Sequence, residues 1–390
     1  MNIEEQMNDQ DENMEAINDI IDEKGIESED VGISNPFDPS KIKVETKQMS
    51  LDTLITRMKE GEINLAPDFQ RNEVWKPRAR SQLIESLLIR IPLPAFYMDA
   101  TDENKWVVVD GLQRLSTLRN FIIPEDEQSR LRLVDLEFLT DMNGKGFSDL
   151  PRYYQRRITE TQVTVYLIEK GTQDDVKFNI FKRINTGGLP LSSQEIRHAL
   201  NQGPAANLLK RLAESELFQK VTTRSMRDQR MSDRECVLRF FAFVLTPYSE
   251  YGGGDFDAFL SDAMAKINKM SEQERQQIAA RFDRAMLNAH AIFLDRAFRK
   301  QTIRQQGRHP INKALFEVWS VTLDALTDAQ IDWLTTYKDA VNQSFKILID
   351  SDQEFVNAIT QGTGHSNRVH KRFKVIEELI QEILGCGDLL

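Results

Sequence analysis

The 390-residue chain has only two cysteines, Cys236 and Cys386, and no CxxC pair. A disulfide scaffold is excluded, a structural zinc site is disfavoured, and so thiol-poor a chain fits a reducing compartment. One buried thiol and one tail thiol are expected. No apolar run approaches the roughly 20 residues needed to span a bilayer. Met1–Glu15 lacks both a cationic and an apolar stretch, so no signal peptide is predicted and the expected location is the cytoplasm, with no membrane partner. A Walker A sequence is absent, so any nucleotide site is not a P-loop. His290, His309, His365 and His370 form no His–Asn–His arrangement, and no nuclease domain and no certain metal site are expected.

What is present is ordinary for a soluble globular protein: 28% charged and 40% hydrophobic residues, in a chain long enough for two or three domains. The net charge of −11 is unevenly placed. Residues 1–40 carry thirteen acids against Lys24 and hold −12, while the remaining 350 residues sum to +1. Two readings of this acidic leader stay open: a solvated, disordered segment, or a nucleic-acid mimic that covers a basic groove. With few apolar residues, the leader is expected to add little stability.

The periodicities predict an α+β chain, with a mixed α/β domain over residues 41–200 and an α-helical domain over 201–390. A helix around Met14–Ile21 and a strand over Lys41–Gln48 are expected. Leu51, Leu54, Ile55 and Met58 have helical spacing, as do Leu83, Ile84, Leu87 and Leu88 within a helix over Arg78–Ile89. Ala95–Ala100, Lys105–Asp110 and Val163–Ile168 read as strands, the last with Val163, Val165 and Leu167 on one face. Helices are expected over Leu112–Phe121 and Asp174–Ile184, then over Val237–Leu245, Phe256–Ile267, Glu272–Arg299, Lys313–Ala325 and Arg372–Leu384.

Three segments carry chemistry. Trp106-Val107-Val108-Val109-Asp110-Gly111-Leu112-Gln113-Arg114 runs from a β-branched strand through Asp-Gly into a helix. The first-turn N–H groups of a helix lack intrahelical acceptors and make an anion site, and Arg114 adds a cationic fork suited to phosphate. Asp110 can hold a metal ion or orient a water, and Gln113 can hydrogen-bond a phosphate or the attacking water. The plainer reading is a strand–turn–helix with an Asp N-cap. Phe181 through Ala199 passes through an Asn185-Thr186-Gly187-Gly188 loop, whose consecutive N–H groups can form an anion nest. Ser192 and Glu195 there form a capping box. Pro67 through Trp75 interleaves Gln70 and Arg71 with large aromatics and reads as a loop facing a ligand.

These three segments, in this order and spacing, resemble the GmrSD N-terminal-domain family, a branch of the ParB/sulfiredoxin-like nucleotide-binding superfold. The matching residues are Phe69-Gln70-Arg71 with Val74-Trp75, Asp110-Gly111 with Gln113-Arg114-Leu115, and Phe181 through Arg197. The likeness extends over about residues 45–385, since Leu238-Arg239-Phe240-Phe241 and Ala314-Leu315-Phe316-Glu317 are similar to the family's helical part. Leu112 stands where the family usually has the first of two glutamines, Ser116 replaces a threonine, and the frequent C-terminal HNH nuclease domain is missing. The resemblance implies NTP binding and hydrolysis, with Mg²⁺, in a sensor or regulatory component of a phage-defence or DNA-restriction system. Asp110, Gln113 and Arg114 would be catalytic. Gln70, Arg71, Gly111, Ser116, Thr117, Arg183, Asn185, Thr186, Gly187 and Arg197 would bind the nucleotide. DNA and a separately encoded effector nuclease are the further partners implied.

Basic residues bear on the DNA question. Arg224, Arg227 and Arg230 lie close to Arg234 and Arg239, and Arg296, Arg299, Lys300 and Arg304 lie close to Arg308. They form either solvated helix faces or a track for a nucleic-acid backbone. Two other functions remain open: a non-enzymatic DNA-binding or adaptor protein that kept the ParB-like fold, and a phosphotransferase.

Overall fold

The computed structural model describes residues 25–27, 43–65, 75–170, 172, 174–184, 192–226, 230–304 and 307–385. The chain divides into two compact units, one over Phe37–Leu200 and one combining Met1–Pro36 with Asn201–Leu390.

The first unit is built on a five-stranded mixed sheet. Its strands are β1 (Val44–Ser50), β2 (Ile63–Asn64), β3 (Phe96–Asp99), β4 (Trp106–Asp110) and β5 (Gln162–Ile168), in the order β1-β5-β3-β4-β2. β5 lies antiparallel to β1 and parallel to β3, β3 is antiparallel to β4, and β2 is parallel to β4. The period-2 alternation sends Phe96, Met98, Trp106, Val108, Val163, Val165 and Leu167 into one core. Four helices also line that core, α1 (Leu51–Lys59), α2 (Pro77–Leu88), α3 (Leu112–Ile122) and α4 (Arg152–Thr159), with Leu131, Leu133, Leu136 and Leu150 of the connections between them. On the other face, Val109 and Ile168 meet Val176, Phe178, Ile180 and Phe181 of α5 (Asp174–Ile184) and Ile196 of α6 (Ser193–Leu200). The sheet is therefore covered on both sides.

Local chemistry explains the boundaries. The Ser50 hydroxyl accepts from the Thr53 N–H and starts α1, and Pro77 opens α2 at the position where its missing donor is harmless. Glu85, buried on α2, accepts the backbone N–H groups of Glu137, Phe138 and Leu139 and so fixes the long connection after α3. β1 begins and ends later than the expected Lys41–Gln48, because its register is set by pairing with β5. Ile42 lies outside the described residues, and Val44 is an exposed end. β2 and α4 were not expected; two and eight residues are too short to carry a visible period.

The second unit is helical: α7 (Pro204–Ala213), α8 (Glu216–Val221), α9 (Ser232–Leu245), α10 (Phe256–Lys269), α11 (Glu272–Phe293), α12 (Lys313–Ala325), α13 (Asp328–Thr336), α14 (Lys338–Ser351), α15 (Gln353–Ala358) and α16 (Ser366–Gly385). They enclose one aromatic-rich core that includes Phe218, Phe240, Phe241, Phe282, Phe316 and Trp319. Cys236 is buried there, and burial pushes its thiol up, so it is inert; Cys386 lies outside the described residues. A buried ionic network joins three helices. Arg239 pairs with Glu235 at 2.8 Å and Glu317 at 3.3 Å, Lys313 reaches Glu235 at 3.1 Å, and Arg372 pairs with Glu317.

Two expectations are corrected here. The helix predicted over Glu272–Arg299 ends at Phe293, because Leu294 adopts φ +53° and the chain passes into a short turn over Leu294–Arg296. Arg299 then bridges Ile311 in antiparallel fashion, so the basic residues after Phe293 are not one helix face. The leader, moreover, is not a free tail throughout. Ile26 pairs with Ile311, is 3% exposed, and belongs to the helical core. The possible helix around Met14–Ile21 lies outside the described residues. Among the described residues, no helix is long and apolar enough to cross a membrane.

Candidate functional site

β4 delivers Asp110 to the sheet's edge of chemistry, and Gly111 turns the chain into α3. Gly111 adopts φ +98° as the N-cap of α3 and offers no capping side chain. A methyl group in its place would come within 2.4 Å of the Phe96 ring. The turn therefore needs glycine twice over, for its left-handed backbone and for its close approach to β3. The first turn of α3 has no acidic residue and no side-chain cap, so its N–H groups form an anion-attracting end.

Arg114 lies one helical turn after Asp110, and the two pair at 2.8 Å. The same guanidinium donates to the carbonyl oxygens of Pro94 and, at 3.2 Å, Ala95, and it sits 4.7 Å from the centre of the Phe96 ring. The expected phosphate fork is thus also the clamp that holds the start of β3. Burial raises the Asp110 carboxyl above its ordinary value, against the opposing pull of Arg114 and the Gly111 N–H. Burial likewise lowers Arg114, with Asp110 opposing. A half-buried acid–arginine pair whose ionisation is opposed by desolvation is the kind of group found at functional sites.

Several residues on β3 and on α5 were not singled out in the sequence. Tyr97 lies opposite Asp110 in the β3–β4 register and stacks on Tyr166 of β5 at 4.7 Å. Burial, Tyr166 and Asp110 all raise the Tyr97 hydroxyl. Lys177 of α5 is buried and donates to Asp99 at 3.2 Å and Thr101 at 2.6 Å. The strand alternation of Phe96-Tyr97-Met98-Asp99 could have shown that Tyr97 and Asp99 share a face; the lysine partner 78 positions away could not have been found.

The other expected site residues divide into three groups. Gln113 and Ser116 are half-buried on α3, whereas Thr117 is buried and its hydroxyl donates back to the Gln113 carbonyl at 2.7 Å. Leu112, the departure from the family pattern, packs against the apolar core. Arg197 is buried on α6, lies 5.6 Å from the Phe178 ring and donates to Gln194 at 3.2 Å, and both α5 and α6 pack on β4. Gln70, Arg71, Asn185, Thr186 and Gly187 lie outside the described residues, as does the side chain of Arg183.

Of the expected DNA-facing residues, Arg227 is outside the described residues. Arg224 and Arg304 are exposed, and Arg230, Arg296 and Lys300 are half-buried. Arg299 must be withdrawn from a DNA-facing set. It is 3% exposed and donates to the carbonyls of His309 and Thr222 and to the hydroxyls of Thr223 and Ser225, so it fastens the polypeptide to itself. Arg234 and Arg239 of the other stripe are buried as well.

Among the described residues, no group of three or more His, Cys, Asp or Glu is placed to hold a metal ion. Asp110 is the carboxylate at the turn, which suits Mg²⁺ only in the form that brings most of its oxygen ligands on phosphates. Neither the curated proteins nor the solved structures contain a significant match to the chain. Residues 51–201 do match the family described as GmrSD restriction endonuclease, N-terminal domain, and this stretch includes the whole Asp110–Arg114 turn.

Proposed function

We propose that the first unit binds a nucleoside triphosphate at the start of α3 and hydrolyses it, as the nucleotide-dependent sensor or regulatory component of a DNA-restriction system. The observation that carries this reading is the uncapped, glycine-started N-terminus of α3 beside the Asp110–Arg114 pair. The family match supplies the restriction context. Phosphate oxygens would accept the first-turn N–H groups of α3, and Arg114 would turn part of its fork from Asp110 to the phosphate. Asp110 would then be free to take a proton from water as that water attacks the terminal phosphorus and the bond to the departing diphosphate oxygen breaks. Gln113, one position inside the helix, would orient the water. Mg²⁺ arriving with the nucleotide would be held by the phosphates, leaving the Asp110 carboxylate for the water.

Calorimetry with ATP, GTP, CTP and UTP, with and without Mg²⁺, tests the reading. At least one should bind, and phosphate release should follow, measured with and without DNA. Arg114→Lys keeps the charge and removes the planar fork, so affinity should fall by about 1.5–3 kcal/mol, the worth of a charge-assisted hydrogen bond. The absence of binding by all four would sink the proposal. Leu112, which replaces a polar residue of the family pattern with an apolar packing contact, favours a second reading: a non-enzymatic DNA-binding or adaptor protein. Binding without phosphate release under every condition would select it. Under either reading the purified chain should leave DNA uncut, with cutting supplied by a separately encoded effector nuclease.

A further inference from the structure

The segment Gly25–Glu27 is seated on the second unit more firmly than an acidic leader requires. Gly25 adopts φ +75°, and an added Cβ would approach the Ser225 carbonyl oxygen to 2.9 Å, so glycine alone fits the entry. The Ile311 N–H donates to the Gly25 carbonyl and the Glu27 N–H to the Ile311 carbonyl, both at 2.9 Å, with Ile26 buried between them. This geometry delivers the Glu27 carboxylate into a notch. One oxygen pairs with Lys300, and the other accepts from the Asn312 side chain at 2.6 Å.

The notch is built for an anion. Lys300 supplies the charge. Asn312 is 4% exposed and is held in place by the Ile359 carbonyl at 2.8 Å, which fixes its donor. The flanking chain is cationic: Arg296, Lys300, Arg304 and Arg308 fall within thirteen positions, with Arg299 spent on its own internal contacts. Arg304 and Arg308 are exposed, and among the described residues Arg308 pairs with Asp295 at a long 3.8 Å. Arg299 bridges Ile311 and donates to the His309 carbonyl, which brings His309 beside this stretch. Gln301 is 3% exposed, and both polar atoms of its side chain lack a hydrogen-bond partner; so do His309 Nε2 and Arg299 Nε. Buried polar groups left unmet in one small region ask for a polar ligand. Immediately before the clip in sequence, residues 1–24 carry nine acids against Lys24.

We propose that the Lys300–Asn312 notch is a phosphate-binding position for a nucleic-acid backbone, and that Glu27 occupies it as a competitor carried by the same chain. The anion seated there is a carboxylate standing in for a phosphodiester oxygen pair, and the Gly25–Glu27 clip must leave when the nucleic acid arrives. This claim is independent of nucleotide binding by the first unit.

The test uses the full-length protein and a labelled DNA duplex at two salt concentrations. Glu27→Gln removes the competing charge, so affinity at low salt should rise roughly three- to tenfold, and the gain should shrink as salt is added. Lys300→Ala in the Glu27→Gln background should abolish the gain. In wild-type protein, where no substitution has to be tolerated, DNA should accelerate hydrogen exchange at the Glu27 amide, which is released from Ile311. Equal affinities of wild type and Glu27→Gln, a gain that survives Lys300→Ala, unchanged exchange at Glu27 with DNA bound, or no duplex binding by any of the three proteins would each overturn the proposal.

Discussion

At the scale of single residues, Gly111 makes the strongest claim. Its left-handed backbone costs about 1–2 kcal/mol for any L-residue with a Cβ, and the Phe96 ring stands in the way of that Cβ. Gly111→Ala should therefore lower stability by more than the backbone term alone. Phe96→Ala should recover the steric part, so urea unfolding of the two single variants and the double variant should reveal a favourable coupling. Strict additivity would show that the ring is not the obstacle. Asp110 yields a pH prediction. Its folded carboxyl titrates above its unfolded value, so its contribution to stability is fullest below the unfolded pKa and is lost as pH rises through the folded one. Asn does not titrate. The stability of wild type relative to Asp110→Asn should thus fall as pH climbs from about 4, the ordinary carboxylate value, and level off above the raised one. Parallel pH profiles would remove burial as the controlling cause. The Asp-Gly turn was legible in the sequence because glycine after a β-branched strand marks a turn. The grip of Arg114 on the Pro94 and Ala95 carbonyls was not, since a loop nearly twenty positions upstream carries no mark of its partner.

At the scale of elements, periodicity was informative where a helix or strand is long and half-buried. The faces of α1, α2 and β5 came out with the expected residues inside, because one buried stripe per element is what periodicity encodes. It failed at β2, which is held by two pairings to β4, and at the end of α11, where a left-handed leucine stops a helix whose composition continues. Arginines at helical spacing suggest an exposed face, and the stripe that includes Arg239 left a solvated face and a nucleic-acid track both open. Arg239 instead lies fully buried on α9, as Arg372 does on α16, and Glu317 of α12 pairs with both. Arg372 also donates to the carbonyls of Ala358 at 3.2 Å and Thr363 at 2.7 Å, so its guanidinium ties the end of α15 and the following loop to the Glu317 carboxylate. Glu317→Gln leaves two buried guanidinium groups short of charge, and loss of one partner from a buried pair costs about 3–5 kcal/mol. Urea denaturation should register a loss of that size. A change below about 1 kcal/mol, the range of exposed pairs, would mean that water reaches the network.

At the scale of the whole molecule, the charge is divided between a leader at −12 and a remainder at +1, and Gly25–Glu27 divides the leader itself. Composition suggested that removing the leader would leave stability unchanged, because a segment rich in acids has little to bury. One well-placed isoleucine reverses that expectation. Ile26 is 3% exposed within the helical core, and full burial of such a side chain is worth about 1.5–3 kcal/mol. Two truncations separate the parts. Removing residues 1–24 takes away nine acids and Lys24 while keeping the clip, and should leave the thermal midpoint of the helical unit in place. Removing residues 1–27 also withdraws Ile26, the two backbone bonds to Ile311 and the Glu27 pairings, leaving an open apolar site and an unpaired Lys300. That variant should melt roughly 4–10 °C lower, given the 2–4 °C shift per kcal/mol of a unit this size. Calorimetric melts of both truncations beside the full chain decide the matter. If the two truncations melt together, at either temperature, the clip has no separate energetic weight. If only the longer one falls, the helical unit depends on a strand-like contact from the far end of the chain, and any partner that displaces Glu27 must overcome the anchoring of Ile26 as well as the pull of Lys300.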